Sequence, residues 1–416
     1  MTTNPNDPNY GLFTDANLAR ARQRIGIWQP EPNPPHNFEV SWDGSRHFAF
    51  GYGDDNPLYC DPDYGKGTRW GGLIAPPMFL YTMGEDTAPK PDPDTKALLK
   101  GDPFAGLGSY QSSMYFEWWR PQQVGDRLYS RRALVGVQDK KSDFGGRTGH
   151  EYISWVYFNQ RDELVAMQRG MWIHAERHTS AKRKKENKTA EPYGAEQLKE
   201  IDALYEAELS ARRGGDTRYW EDVQVGDELP TLVRGPLTTT DIVVWHLGWG
   251  MQLTPPGTYS LSYKIRKKAP GLYPANALNV PDTVQRLHWE PERARELGLP
   301  TSYDYGAMRE TYLTHLVTNW MGDDGWLHKF TCQHRRFFFQ GDTAWLRGRV
   351  AAKRQLEGRN EVDLELWIDN QRGDTITPGT ATVLLPSRTA GAVQLPEPPA
   401  KNMESLFQLE IARFKD

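Results

Sequence analysis

Cysteine is nearly missing from this chain of 416 residues: Cys60 and Cys332 are the only two, which excludes the disulfide framework that small secreted domains rely on. No stretch approaches the roughly 18 consecutive apolar residues needed to span a bilayer. The first twelve residues are polar, broken by Pro5 and Pro8, and lack the apolar centre of a secretory leader. The expectation is a protein of the reducing cytoplasm with no membrane partner. An excess of one charge is lacking too, the net charge being −4, so no basic field argues for nucleic acid. Also absent are H-E-x-x-H and C-x-x-C metal spacings, the glycine-rich loops of nucleotide sites and the G-x-S-x-G elbow. Cys332-Gln333-His334 alone is too short a constellation for a metal. No resident metal or cofactor is expected.

What is present first suggests two units, since a single core seldom serves 416 residues. Between Glu176 and Gly215 the text turns charged, with a basic run at Lys182 to Lys185 and a helical stretch from Ala195 to Arg213, and reads as a linker. The flanks echo each other. Val124-Gly125-Asp126 precedes alternating strand text that closes on Asn159-Gln160-Arg161. Gln340-Gly341-Asp342 precedes similar text that closes on Asn370-Gln371-Arg372. The alternation predicts half-buried antiparallel strands and hairpin turns. Each half also carries a helix candidate upstream, Leu73 to Met83 in the first and Ala307 to Trp320 in the second, the latter with Asp304 as its cap and Gly322 as its stop. The reading is an α+β chain of two tandem modules, 1–175 and 217–390, joined by a charged linker at 176–216 and followed by a C-terminal tail at 391–416.

The segment Gly53-Asp54-Asp55-Asn56-Pro57-Leu58-Tyr59-Cys60-Asp61, followed by Trp70 to Phe79, resembles the G-D-x-N-P-L-H-x-D signature of the MaoC-like, R-specific enoyl-thioester hydratases. The acid is present as Asp54, but Tyr59 stands in place of the histidine. In the second half, Leu287-His288-Trp289-Glu290, with Ala294, Gly298 and Pro300, is similar to the text around the family's catalytic histidine. There the acid motif is missing and the nearest carboxylate is Asp282. The resemblance implies a double hotdog, each module a long helix wrapped by a curved antiparallel sheet. It also implies a division of labour, with an acyl-binding first module and a catalytic second one.

On that basis the resemblance points to reversible hydration of a 2-enoyl-CoA thioester, or dehydration of the 3-hydroxyacyl thioester, with coenzyme A as part of the substrate and R stereochemistry. An imidazole titrates near neutrality and serves as a general base. His288 takes that role, Asp282 its acid partner, and the Gly306 amide at a helix start the oxyanion donor. Tyr59, Asp54 and Arg286 are the candidate substrate contacts, with Arg293 and the Lys264 to Lys268 cluster as further cations for phosphates. Asp54 also reads as a turn residue and Asp282 likewise. His246, His315 and His334 carry no motif and read as core or surface residues. Two other functions stay open, a non-catalytic acyl-thioester-binding subunit of a hydratase complex and a hotdog thioesterase, as do a homodimer and a hetero-subunit assembly. The many aromatics, Trp118, Trp119, Trp245, Trp249 and Trp289 among them, fit either a pocket for a bulky acyl group or ordinary core packing.

Overall fold

The structure is a computed structural model and describes residues 10–31, 33–142, 146–176, 188–250 and 260–414. Lys182 to Lys185, the basic run of the linker, lies outside the described residues. Among the described residues there are ten strands, the longer ones of the second half alternating in burial: β1 (Glu85–Asp86), β2 (Gly108–Trp118), β3 (Leu128–Ser142), β4 (Gly146–Asn159), β5 (Leu164–Ala175), β6 (Leu232–Arg234), β7 (Trp326–Gln333), β8 (Ala344–Leu356), β9 (Arg359–Asn370) and β10 (Thr375–Leu384). They form one sheet in the order β1-β3-β4-β5-β2-β7-β10-β9-β8-β6. The order is mirrored about the β2–β7 junction, where Phe116 faces Phe330 in antiparallel register. Each half of the sheet comes from one half of the chain, and the two edge strands that would otherwise stay unpaired are joined to each other.

The repeated sequence marks have a structural reason. Asn159 Oδ1 accepts from the Arg161 and Glu163 amides at 2.9 and 3.1 Å, and Asn370 Oδ1 accepts from the Arg372 and Asp374 amides at the same distances. In each turn the next residue, glutamine, receives an amide at the start of the neighbouring strand, Arg127 N to Gln160 and Thr343 N to Gln371. The arginine then pairs with the aspartate of the Gly-Asp step, Arg161 with Asp126 at 3.2 Å and Arg372 with Asp342 at 2.7 Å. The motif is a clip that ties the β4–β5 turn to β3, used again at β9–β10 and β8.

The helices are unequal. The second half has a central helix, Gly306–Met321, stopped by Gly322 at φ 74° and buried at every position from Ala307 to Met321. Its apolar side, including Met308, Leu313, Leu316, Val317 and Trp320, joins a core cluster that also takes Met78, Phe116 and Trp118 from the first half. Its other side carries Arg309, Glu310, His315 and Asn319, and the first module reaches Glu310 through Tyr81 and Gln111 and His315 through Asp54. In the first half the expected helix from Leu73 to Met83 is only a 3-10 turn, Pro77–Thr82. Pro76 and Pro77 remove two amide donors, and Gly84 at φ 103° turns the chain into β1 at once, so too few residues remain for a stable α-helix. Asp304 does not cap the central helix as expected: it pairs with Arg309 at 2.8 Å, and Tyr305 holds the cap position without a side-chain hydrogen bond.

Two further helices, Trp42–Gly51 and Thr239–Trp249, pack against each other across the modules. Their backbones meet so closely that a Cβ on Gly248 would stand 2.6 Å from His47 O. The linker helix, Ala195–Ala211, touches both halves, with Arg212 paired to Asp55 and Glu208 to Arg234. The segment after 390 is more than a tail. Its helix Met403–Ala412 buries Leu406, Phe407 and Ile411 on the first module's sheet, and Glu410 pairs there with Arg169. Trp118, Trp119 and Trp245 are at most 1% exposed and belong to the core.

Candidate active site

The first amides of any helix lack intrahelical acceptors, and a buried helix start without a cap is where a ligand oxygen is stabilised. The central helix begins this way: Tyr305 and Ala307 are buried, and no side chain caps the start. His288, on a short 3-10 turn Val284–His288, stacks on the Tyr305 ring with centroids 3.8 Å apart. Its Nδ1 lies 2.9 Å from the Tyr303 carbonyl. A carbonyl can only accept, so Nδ1 carries the proton and Nε2 keeps the lone pair. Burial pushes the His288 pKa down to about 4, so the ring is neutral at physiological pH. His246 closes the nest edge-on to both Tyr305 and Trp289. The His288 and Gly306 of the sequence reading are thus neighbours of one helix start.

A second histidine, passed over in the sequence, meets the same start. His334 follows β7, and a Cβ added to Gly306 would come within 3.0 Å of its Nε2. That nitrogen is 2.8 Å from Glu310 Oε1, one turn along the central helix. Glu310 is fully buried and also accepts from Gln111 Nε2 at 2.9 Å and from the Tyr81 hydroxyl, both supplied by the first module. His334 Nδ1 is buried with no hydrogen-bond partner. Burial, reinforced by the Arg309 charge, lowers the pKa of His334. Glu310, Cys332 and His334 bring one ligand atom each within 4.8 Å, the one such trio among the described residues. Burial pushes the Cys332 thiol well up, which keeps it protonated. Beside them Asp304, raised to about 7 by burial, leaves Oδ1 without a partner.

The remaining residues singled out in the sequence are placed elsewhere. Asp282 does not join His288: its Oδ1 accepts from the Thr283 amide at 2.7 Å, and the groups acting on the His288 ring are the Tyr303 and Asp304 backbone and His246. Arg286, 1% exposed, is no free cation. It donates to the Pro274 and Ala275 carbonyls at 3.0 and 2.9 Å and pairs with Glu290 at 2.6 Å, pinning the loop that carries His288. Tyr59, 2% exposed, lines a slot with Trp70, Trp118 and Trp326. The free space there, about 30 Å³, suits one water rather than an acyl chain. Asp54, 1% exposed, accepts from the Tyr52 hydroxyl and the Asn56 amide, both at 2.9 Å, and so holds its own turn.

Asp54 also reaches across the modules. His315 Nε2, from the middle of the central helix, lies 3.5 Å from Asp54 Oδ1, while His315 Nδ1 lies 2.8 Å from Arg234 Nη2. Arginine only donates, so Nδ1 accepts and Nε2–H faces the carboxylate. Burial, then the Arg234 charge, lowers the His315 pKa to about 3. Both nitrogens are therefore committed, unlike those of His334. This group borders a cavity of about 470 Å³ that Tyr205, Arg212 and Tyr312 also line.

The comparisons with known proteins agree with the fold. A family model described as the FAS1-like dehydratase domain region matches residues 32–168. A UPF0336 protein of Streptomyces avermitilis is 32% identical over 125 residues, covering 29% of this chain and 75% of its own. A probable enoyl-CoA hydratase alpha subunit of Thermomonospora curvata is 26% identical over 131 residues, 30% of this chain and 41% of its own. Among solved structures, a MaoC-like dehydratase superposes with a TM-score of 0.58 at 17% identity, over 88% of this chain and 99% of its own. A MaoC domain protein dehydratase from Chloroflexus aurantiacus reaches 0.50 at 13% identity, over 88% and 96%. Ten strands mirrored about one junction, a buried helix in the second half and these likenesses together place the chain in the family of FAS1-like, MaoC-like hotdog dehydratases, as a double hotdog.

Proposed function

We propose that the chain adds water reversibly to a 2-enoyl-CoA thioester, at the start of the central helix. The observation that carries this reading is the uncapped, buried helix start at Gly306 with the neutral His288 stacked on its cap residue. Hydration places negative charge on the thioester oxygen as the water oxygen joins the β-carbon. Orphan amides at Gly306 and the helix dipole stabilise that charge without reorganising. The His288 Nε2 lone pair engages the water, and the same groups serve the reverse dehydration.

The chemistry belongs to the second module, and the first contributes shape and buried partners, since Tyr59 is buried in the core and Asp54 is consumed by its own turn and by His315. No helix of the described residues is long and apolar enough to cross a membrane, which agrees with a thioester substrate met in water. The test follows conjugated-enoyl absorbance and free thiol together on a panel of short, long, branched and ring-bearing 2-enoyl-CoA thioesters, with His288→Ala alongside. Enoyl loss without thiol release, abolished in the variant, supports hydration. Thiol release identifies a thioesterase, and tight thioester binding without turnover identifies a non-catalytic subunit.

A further inference from the structure

The sequence offers His288 no acid partner five residues upstream, and Asp282 does not supply one. The structure holds a carboxylate–imidazole pair at the same helix start that no motif announces. Glu310 is 0% exposed, yet all its partners are polar: Gln111, His334 and Tyr81. A buried carboxylate held by several donors is fixed in place. With Nε2–H given to that carboxylate, the lone pair of His334 is on Nδ1, which is buried and unpartnered. His288 has backbone carbonyls rather than a carboxylate to balance a positive ring. Of the two imidazoles, His334 is the one with a carboxylate to orient it and a lone pair left free.

We propose that His334, oriented by Glu310, is the group that moves the proton at the α-carbon, an inference that rests on the hydratase reading above. In the dehydration direction Nδ1 takes the α-proton. The C–H electron pair forms the enolate, whose oxygen lies at the Gly306 helix start, and Glu310 stabilises the imidazolium. The enolate pair then closes the Cα=Cβ bond as the C–O bond breaks, and the imidazolium returns its proton to the departing hydroxyl. Water leaves and His334 is neutral again, so one base completes the cycle with no other reactant. His288 holds the hydroxyl or water meanwhile. Glu310 is a positioning residue, and through Tyr81 and Gln111 the first module anchors it. Counted from Tyr59 and His288, Tyr81 and Glu310 occupy the same place in the two halves, 22 residues on in each. Thus the degenerate module completes the pair from the position its own catalytic helix would have used.

The experiment runs 2-butenoyl-CoA and a long-chain 2-enoyl-CoA with the full chain in deuterated water, reading turnover and deuterium at the α-carbon for wild type, His334→Gln and Glu310→Gln. Expected are wild-type hydration with α-deuteration, a loss of both by about 100-fold or more in His334→Gln, and in Glu310→Gln a fall in kcat with little change in KM and a displaced acid limb of the pH–kcat profile. Nitrogen-15 spectra of His334 in wild type, which need no variant to fold, are expected to show Nε2 protonated and Nδ1 bare at neutral pH. Wild-type turnover with His334→Gln within threefold of it would overturn this inference and leave the hydratase reading standing. No turnover of either thioester by wild type would overturn both. A protonated Nδ1, or a stoichiometric divalent metal bound by Glu310, Cys332 and His334, would overturn the proton-transfer role alone.

Discussion

Gly306→Ala separates function from stability. The added Cβ would stand 3.0 Å from His334 Nε2, a few tenths of an ångström inside ordinary contact, and its methyl would lie beside the amide proposed to hold the thioester oxygen. The fold has little reason to suffer, because Gly306 begins a helix and is not among the residues of positive φ. Alanine there restricts the unfolded chain and returns about 0.4–1 kcal/mol, which offsets the crowding of one side chain. Catalysis has more to lose: the amide N–H stays, but a methyl that holds the thioester oxygen off it forfeits the donor, and loss of one oxyanion donor costs roughly 10²–10³ in kcat, or about 2.7–4 kcal/mol. The expected result is a melting temperature within a few degrees of wild type and a fall of about 100-fold in kcat with KM nearly unchanged, since the lost interaction forms only in the transition state. Hydration of 2-butenoyl-CoA, followed by enoyl absorbance beside a thermal melt, reads both. A folded Gly306→Ala with turnover within threefold of wild type would refute the placement of the carbonyl at this helix start.

Other expectations follow from the same geometry. His288→Ala, folded by circular dichroism, is expected to lower kcat/KM by about 10²–10⁴; near-normal turnover would remove His288 from the reaction. His315 has a folded pKa of about 3, below the unfolded value near 6.5. Its stabilisation is complete above pH 6.5 and lost as pH falls toward 3, on the order of 2 kcal/mol between pH 6.5 and 5. Asp304 acts in the opposite sense, its raised pKa costing stability as pH rises through about 7. The comparison is therefore between wild type and His315→Asn in urea at pH 7 and pH 5, and equal pH losses in the two would refute the assignment. Arg372→Ala, which strips a partner from the fully buried Asp342, is expected to cost about 1–3 kcal/mol in denaturant. Its twin Arg161→Ala, whose side chain is 53% exposed, should cost under about 1 kcal/mol. Gly248→Ala drives a methyl into the His47 and Phe48 backbone and should cost about 1–3 kcal/mol or more by the same assay.

Much of the architecture was legible because it is written in local pattern. Alternation marks strands, and the Gly-Asp and Asn-Gln-Arg marks recur because each half needs the same clip between neighbouring strands, two of whose hydrogen bonds lie within four residues. His288 and Gly306 could be named from the text because the first stands in the family-like motif and the second opens an apolar helix pattern, although a short helix, Pro291–Glu296, lies between them. The first-half helix misled because Leu73 to Met83 has the right apolar composition, whereas Pro76, Pro77 and Gly84 decide its backbone.

The sequence by itself determined the duplication, the alternating strands and the identity of a histidine beside a helix start. Only the tertiary structure decided which polar groups meet there. Glu310 and His334 are 24 residues apart, Tyr81 and Glu310 229 apart, and nothing local links them. Arg286 and Asp282 looked available in the text and are used within their own loop, while Asp54 was given a partner, His315, from the other module. The reason is that a helix buried on every side must have its polar face satisfied by whatever packs over it. In this chain part of that cover is the other half of the duplication, through Tyr81, Gln111 and Asp54, so that part of the choice was made when the two modules joined at β2 and β7.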